Sequence, residues 1–339
     1  MSKKINIALF GFGRIGRNLF RLGYNNPKYN FVAISDFGSS EALHYLLVRD
    51  SIHGSIDDNV KLEGNHLIVK EQRTRLISGG EPGNIPWDAF DVDVVIDATG
   101  RFLKRNQLAR HIESGAKRVF ISRNPKDEID RFIIPGINES TMKNTDQIIS
   151  TTSSTTQVLA LMVKMLDECF GLNRGMMTTV HAYTSDQPLA DAAGVDLRRS
   201  RSAVENIIPN STRAPSIVEE VMPQFLGKLN GIAFNVPVPN GSCVDLTTEL
   251  REIPSVQEAN DAIKEYSKTT LKGIVGYTSD PIVSSDVIGR QETMIYDEKA
   301  TMITNDSLLK TLCWYDNGWG FASRILEVVD AYSNLENQS

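Results

Sequence analysis

One histidine and one serine-rich helix start carry the residue types that are able to do chemistry together. His181 lies in the run GMMTTVHAYTSDQ, where apolar and polar residues alternate as they do in a strand. Ser154 lies in ISTTSSTTQ, immediately before a stretch whose apolar residues recur at helical spacing. A helix N-terminus offers unpaired N–H groups and a positive dipole end, which suit an oxyanion, a thiolate or a phosphate. On residue chemistry alone, Ser153–Thr156 is more often a simple helix cap.

A glycine-rich turn near the N-terminus predicts a dinucleotide site. The G-x-G-x-x-G motif follows an apolar run over Ile5–Phe10 and precedes a helix-like stretch. A second predicted strand, Phe31–Ser35, is followed by Asp36, 20 residues beyond Gly16, where a carboxylate accepts hydrogen bonds from the ribose hydroxyls. Asp36 would also repel a 2′-phosphate, so the pattern predicts NAD rather than NADP. The predicted cofactor residues of the loop are Gly11, Gly13, Arg14, Ile15 and Gly16.

Two more predicted strands lead toward the other half of that site. Asp93–Thr99 and Arg118–Ser122 are apolar runs typical of strands in a parallel sheet. Ligands of open α/β sheets bind at the carboxyl ends of the strands. Thr99 and Ser122 are therefore candidate contacts on the nicotinamide side of the cofactor.

The second half of the chain has a different pattern. Strand-like runs recur between residues 176 and 315, with helices predicted at Ser216–Phe225 and Val256–Lys268. This order favours an antiparallel α+β domain over a second nucleotide-binding fold. We therefore predict a two-domain α/β protein. An N-terminal Rossmann dinucleotide-binding domain spans residues 1–153 and is completed by a C-terminal helix over 318–339, and a mixed α+β catalytic domain with an antiparallel sheet spans 154–317.

Composition narrows the class of function. The 339 residues are 41% hydrophobic and 23% charged, as in ordinary globular proteins, and the net charge of −6 disfavours nucleic acid as the main partner. No uncharged apolar run approaches the roughly 18 residues that a membrane span needs. The 3 cysteines are too few and too scattered for a disulfide framework or a metal site, so a reducing cytoplasm is the expected location.

Three strings in the second half resemble a known catalytic core. SSTTQ, TTVHAYTSDQ and DLRRSRSA are similar to S-C-T-T-N, T-x-H-x-Y-T-x-D-Q and D-L-R-R-x-R-x-A of the glyceraldehyde-3-phosphate dehydrogenase family. The resemblance extends over essentially the whole chain. The nucleophilic cysteine of that family falls on Ser154, which is the most informative departure.

The resemblance implies an activity and an assembly. In the family a cysteine thiolate attacks an aldehyde, hydride passes to NAD, and inorganic phosphate cleaves the resulting thioester. By resemblance, His181 is the general base, Asn317 meets the nicotinamide amide, and residues 187–206 form a long loop that reaches a neighbouring subunit. A homotetramer acting on a small phosphorylated aldehyde is implied.

The anion-binding positions of the family are only partly retained. Those that match a substrate or attacking phosphate in the family are Ser153, Thr155, Thr184, Asp186, Arg201 and Thr212. Asn235 stands where the family has arginine, and Arg213 stands where it has glycine. We hypothesise that Arg213 restores the positive charge from another direction, which keeps an anionic substrate but reshapes its pocket.

Ser154 leaves two readings open. A serine hydroxyl must lose its proton as it attacks, whereas a thiol near an imidazolium is already a thiolate. Serine here is either an engineered replacement of cysteine or a natural divergence with weak, altered or no dehydrogenase activity. The alternative function is accordingly a catalytically silent relative that binds NAD and sugar phosphate in a regulatory or partner-binding role. None of the three cysteines (Cys169, Cys243 and Cys313) matches a family nucleophile.

Overall fold

The computed structural model describes residues 4–56, 59–304 and 307–336. They fall into two compact units. The first comprises the chain up to Thr152 and again from Ala322 onward, and the second is Ser153–Phe321. The divisions predicted from the sequence lie at 153/154 and 317/318. No helix among the described residues is long and apolar enough to cross a membrane.

The described part of the first unit is built on one nine-stranded sheet with helices between its strands. Its strands are β1 Ile5–Phe10, β2 Tyr29–Asp36, β3 Arg49–Asp50, β4 Gly54–Ser55, β5 Val60–Glu63, β6 His66–Val69, β7 Gln72–Ser78, β8 Val94–Asp97, β9 Arg118–Ile121, β10 Arg131–Phe132 and β11 Ile148–Ser150, of which β3 and β4 pair separately. Its first helices are α1 Arg14–Gly23, α2 Ser40–Val48 and α3 Arg105–Glu113.

The strand order of this sheet explains where a ligand binds. The order is β10-β11-β9-β8-β1-β2-β7-β6-β5, and every pair from β10 to β7 is parallel. The chain winds outward in one direction from β1 to β2 and in the other from β1 to β8. Doubly wound sheets bind ligands at the carboxyl ends of the strands beside such a switch point. The predicted Rossmann fold is confirmed.

The second unit carries an eight-stranded sheet in its described part. Its elements are α4 Ser154–Phe170, β12 Leu172–Ala182, β13 Ile208–Asn210, α5 Ala214–Val221, β14 Leu229–Val236, β15 Ser242–Leu250, α6 Val256–Lys268, β16 Val275–Thr278, β17 Met294–Asp297, β18 Met302–Thr304, β19 Leu308–Tyr315 and the start of α7 Trp319–Glu336. The strand order is β13-β14-β12-β15-β19-β17-β16, with β18 also on β19. Most pairs are antiparallel, but β12–β14 and β16–β17 are parallel. Short 3-10 turns occur at Trp87–Phe90, Glu139–Thr141, Pro223–Phe225, Ser284–Val287 and Glu298–Ala300.

Helix α4 is central to the second unit because it is buried nearly all round. Every residue from Thr155 to Val163 is buried, as expected of a helix without a polar face. The helix packs against α5 and β15. It begins where the Ser153 hydroxyl accepts a hydrogen bond from the backbone N–H of Thr156 at 3.2 Å, so the predicted cap is present.

The bounds of two predicted helices differ from those observed. The helix expected at Ser216–Phe225 is α5, which begins at Ala214 and ends at Val221 before a 3-10 turn. Pro215 in its first turn presets the helical backbone angle, whereas Pro223 cannot continue the hydrogen-bond ladder. The last helix begins at Trp319, one residue after the predicted start at 318.

The C-terminal part of α7 is anchored within the first unit. The Tyr332 hydroxyl donates to the Asp146 carboxylate at 3.0 Å, and the Tyr29 hydroxyl donates to the Leu326 carbonyl at 3.2 Å. The Arg118 guanidinium lies over the Tyr332 ring, 5.3 Å from its centroid. The end of the chain is thus part of the dinucleotide-binding unit.

Candidate active site and cofactor site

The glycines of the N-terminal loop differ in what requires them. Gly11 has a φ of +98°, and a Cβ there would lie 2.8 Å from the backbone nitrogen of Thr99. A Cβ on Gly16 would overlap the carbonyl oxygen of Gly11. Gly13 has a φ of −68°, and a Cβ there would meet nothing within 4 Å. The fold itself therefore requires glycine at positions 11 and 16, whereas the open space at Gly13 suits the close approach of a ligand.

The start of α1 is open in the same way. Gly13 is its N-cap residue and provides no side-chain hydrogen bond to the first turn, in which Arg14 and Ile15 are half-buried. Uncapped N–H groups at a helix start are suited to a pyrophosphate. The residues present therefore fit a dinucleotide.

Asp36 is tied to this loop. It ends β2, and its Oδ2 accepts a hydrogen bond from the Phe12 N–H at 2.7 Å while Oδ1 accepts one from the Gly38 N–H at 3.0 Å. Each carboxylate oxygen has room for a further donor, such as a ribose hydroxyl. The structure thus brings the predicted acid and the glycine loop together.

Thr99 and Ser122 also lie together at the carboxyl ends of neighbouring strands. The Thr99 hydroxyl donates to Asp97 Oδ1 at 2.6 Å, and the Ser122 hydroxyl donates to the Asp97 carbonyl at 3.2 Å. Strands β8 and β9 are parallel neighbours, with Asp97 opposite Ile121. Thr99 and Ser122 were predicted from the sequence as cofactor contacts, whereas Asp97, which holds both of them, was not predicted.

Ser154 is the first helical residue of α4 and is half-buried. Its hydroxyl makes no hydrogen bond to any other residue that the structure describes. Its neighbours are both engaged: Ser153 contacts the Thr156 hydroxyl at 2.8 Å, and Thr155 Oγ1 lies 2.8 Å from the Tyr315 hydroxyl. Ser154 therefore has a hydroxyl available for chemistry, between two residues that fix its backbone.

His181 lies near the end of β12 with a defined orientation. Its Nδ1 is 2.6 Å from the Ala182 carbonyl oxygen. A carbonyl only accepts hydrogen bonds, so Nδ1 carries the proton and Nε2 of the neutral ring has the basic lone pair. This is the orientation that a general base needs.

Tyr315 connects the helix start with the histidine. Its ring meets the His181 ring edge-to-face, with centroids 6.0 Å apart, and its hydroxyl contacts Thr155 and, at 3.1 Å, Thr179. Burial raises the pKa of Tyr315 to about 12, so the phenol stays neutral around pH 7. Tyr315 was predicted to lie in a strand, but no functional role was predicted for it.

Asn235 is buried beside His181, and its amide side chain is uncharged where the family has an arginine. The two residues are register partners on β14 and β12. Asn235 Oδ1 accepts a hydrogen bond from Asn210 Nδ2, and its own Nδ2 donates to the Ala182 carbonyl at 3.5 Å. This amide is thus part of the strand framework, and any cation for a bound phosphate must come from elsewhere.

The remaining predicted anion-binding residues form two separate groups. Thr184 donates from its hydroxyl to Asp186, whose carboxylate pairs with Arg199 at 2.7 Å. Arg201 is exposed and pairs with Asp191 at 2.9 Å, within the loop. Thr212 and Arg213 lie instead at the start of α5, where Thr212 Oγ1 accepts the Ala214 N–H at 3.2 Å. Arg199 was missed, although DLRR in the sequence marks it as a second candidate cation.

Asn317 is held in one orientation by a neighbouring serine. The Ser242 hydroxyl accepts the Ala182 N–H at 3.0 Å and donates to Asn317 Oδ1 at 3.2 Å. The amide nitrogen of Asn317 is therefore left as the donor that a carbonyl-bearing ligand would meet. Asp316 fixes the same turn, since its Oδ1 accepts the N–H groups of Gly318 at 2.8 Å and Trp319 at 2.7 Å.

None of the three cysteines has the environment of a nucleophile. Cys243 lies on β15, opposite Val180, and is thus close to His181 in the sheet although distant in sequence. Burial raises the pKa of Cys243 to about 11 and raises those of Cys169 and Cys313 above their usual value. Thiols with raised pKa values stay protonated and unreactive. The described residues contain no cluster of His, Cys, Asp or Glu able to hold a metal ion.

Comparisons with known proteins cover both units. Residues 5–105 match the family described as "Glyceraldehyde 3-phosphate dehydrogenase, NAD binding domain", and residues 153–317 match its "C-terminal domain". The chain is 42% identical over 325 residues to "Glyceraldehyde-3-phosphate dehydrogenase 1" of Bacillus subtilis (strain 168), covering 96% of this chain and 97% of that protein. The same values hold for "Glyceraldehyde-3-phosphate dehydrogenase" of Geobacillus stearothermophilus. A chloroplastic relative from Arabidopsis thaliana is 39% identical over 334 residues, which are 98% of this chain and 84% of that protein.

Proposed function

The chain belongs to the glyceraldehyde 3-phosphate dehydrogenase family, and we propose that it oxidises a small phosphorylated aldehyde with NAD, with Ser154 in the nucleophile's place. The observation that carries the proposal is the junction around Tyr315. It links the start of α4 to an imidazole whose Nδ1 is fixed on a carbonyl. NAD supplies the hydride acceptor, and the N-terminal loop with Asp36 holds its adenosine and pyrophosphate parts.

The chemistry assigned to the side chains follows from this arrangement. The Ser154 hydroxyl adds to the aldehyde carbon while its proton passes to Nε2 of His181. Loss of hydride from the same carbon leaves an ester on Ser154, and inorganic phosphate then displaces the serine oxygen, which regains a proton from His181. The N–H groups at the start of α4 stabilise the oxyanion in both addition steps.

Serine makes these reaction steps slow. A thiol with a pKa near 8.5 is readily held as a thiolate by an imidazolium and a helix N-terminus, whereas the hydroxyl must be deprotonated as it attacks. An ester is also less activated than a thioester toward phosphate. We therefore assign weak activity to the protein with serine at position 154.

The anion-binding residues are part of the proposal. Arg201, Thr184, Asp186 and Thr212 are assigned to the substrate or attacking phosphate, together with Ser153 and Thr155 at the start of α4. Arg213 is assigned the positive charge that Asn235 lacks. The engagement of the Asn235 amide with Asn210 and Ala182 supports this division of roles.

The proposed assembly is a homotetramer in the cytoplasm. The loop from 187 to 206, with Ile207 directly after it, exposes apolar side chains that a second copy of the chain would cover, namely Leu189, Val195, Leu197 and Ile207. Solvent-exposed apolar residues grouped on one loop are typical of an interface. A solution mass of four chains by light scattering is the expected result, and a monomer would contradict the assembly.

The test compares three proteins: the chain as it is, Ser154→Ala and Ser154→Cys. NADH formation is measured with several phosphorylated aldehydes and inorganic phosphate. We expect weak activity for serine, none for Ser154→Ala, and an increase of at least about 100-fold for Ser154→Cys, equivalent to about 2.7 kcal/mol of barrier.

The alternative, a silent relative that binds NAD and sugar phosphate, is favoured by Ser154 itself. It predicts equal inactivity of all three proteins while NAD still binds. That outcome would refute the proposed dehydrogenase activity and support the NAD-binding role without catalysis.

A further inference from the structure

A buried carboxylate at the end of β8 holds two of the proposed cofactor contacts. Asp97 is 3% exposed. Its Oδ1 accepts hydrogen bonds from the Thr99 N–H at 2.9 Å and the Thr99 hydroxyl at 2.6 Å. Its backbone carbonyl accepts the N–H of Ser122 at 3.1 Å and the Ser122 hydroxyl at 3.2 Å. One residue therefore fixes Thr99 through its side chain and Ser122 through its backbone.

The other oxygen of this carboxylate faces a buried histidine. Asp97 Oδ2 lies 3.8 Å from His111 Nε2, and neither atom has a hydrogen-bond partner among the described residues. The Trp87 indole N–H donates to His111 Nδ1 at 3.0 Å. An indole only donates, so Nδ1 is the unprotonated nitrogen and Nε2 carries the hydrogen, directed toward Asp97.

This arrangement explains why the residue is a carboxylate. An isolated buried polar group is costly, and two donors facing each other are worse than a donor facing an acceptor. Asp97 presents acceptors in both directions, toward Thr99 and toward the N–H of His111. An asparagine of the same shape has one acceptor oxygen and must turn its NH2 group toward one of these two donors.

We propose that Asp97 is a positioning residue for the nicotinamide half of the cofactor, acting through Thr99 and Ser122. The inference rests on the proposed function, since it takes both hydroxyl residues to lie beside the nicotinamide. Asp97 does not touch the ligand. It sets the turn after β8 and the end of β9, while the adenosine half depends on Asp36 and the glycine loop.

The experiment uses two compounds that differ in the nicotinamide. Dissociation constants for NAD and for ADP-ribose, which lacks the ring, are measured by calorimetry on the full chain and on Asp97→Asn. In Asp97→Asn, Thr99 and Ser122 lose well-placed neutral hydrogen bonds to the nicotinamide half. We therefore expect NAD to bind about three- to tenfold more weakly, while the affinity for ADP-ribose stays within about twofold of the unaltered chain. Equal weakening of both compounds, or of neither, would overturn the proposal.

Trp87→Phe is the matched control. It removes the indole donor to His111 Nδ1 from the buried apolar cluster that contains Trp87, so it lowers the melting temperature but leaves the ratio of the two affinities unchanged. If Asp97→Asn does not fold, Thr99→Val removes the hydroxyl that donates to Asp97. This variant must lower the affinity for NAD but not the affinity for ADP-ribose. An unaltered chain that binds neither compound would refute NAD binding itself, and this inference with it.

Discussion

The cofactor loop consists mainly of backbone groups, whereas the junction around Tyr315 consists mainly of side-chain contacts. In the first unit, the candidate cofactor site consists of backbone N–H groups, spaced glycines and one carboxylate at the end of β2. In the second unit, the candidate catalytic site is a chain of contacts from Thr155 through Tyr315 to His181, and from Ala182 through Ser242 to Asn317. A site built from backbone groups depends mainly on the path of the chain. A site built from side chains can change its chemistry through one atom, as when serine oxygen stands in place of a cysteine sulfur at position 154.

The side-chain site is expected to fail most completely when the base is removed. In the Ser154→Cys protein, His181→Gln keeps a polar side chain but cannot take up the proton, so NADH formation falls by about 10²- to 10⁴-fold. Steady-state rates with saturating NAD measure this. His66→Gln, on β6 of the other unit, is the control and leaves the rate unchanged; a comparable loss there would remove His181 from its assigned role.

The backbone site can be broken in two distinguishable ways. Gly13→Ala places a Cβ where the fold has open space, so the melting temperature stays constant while NAD binding weakens by at least about 100-fold, as expected if two charge-assisted hydrogen bonds to the pyrophosphate are lost. Gly16→Ala overlaps the Gly11 carbonyl and destabilises the fold itself. Calorimetry of ligand binding and thermal unfolding separate the two. Undiminished NAD affinity in Gly13→Ala would contradict the loop's role.

The smallest effect on activity is expected at Arg213, the residue proposed to supply the positive charge for the substrate phosphate. Arg213→Ala removes one charge-assisted hydrogen bond, worth about 1.5–3 kcal/mol, so the KM for phosphorylated aldehydes rises about ten- to 100-fold with little change in kcat. The measurement is made in the Ser154→Cys protein. Arg251→Ala, which lies after β15 near Asp167, serves as the control cation. An unchanged KM for every phosphorylated aldehyde would exclude Arg213 from the pocket.

The sequence predicted the elements more reliably than the contacts between their side chains. Strand β1 and helix α6 lie within the predicted bounds because their apolar periodicity is local and their ends carry clear signals. The end of α5 was wrong by several residues, since the sequence analysis ran the helix through Pro223. The residues that support the sites (Asp97, Ser242, Tyr315 and Asp316) gave no local signal, because each acts on a residue brought close only by the fold.

The sequence by itself determined the Rossmann loop and the family, and it carries the prediction that a serine stands in the nucleophile's place. These features are carried by spacing along the chain: glycines at fixed intervals, an acid after the second strand, and strings around residues 154 and 181. Only the tertiary structure decided which nitrogen of His181 is basic, that the Asn235 amide is occupied within the sheet, and that Asp97 holds two hydroxyls at once. Those properties depend on hydrogen bonds between strands and helices far apart in the chain, and their partners follow from packing rather than from sequence distance.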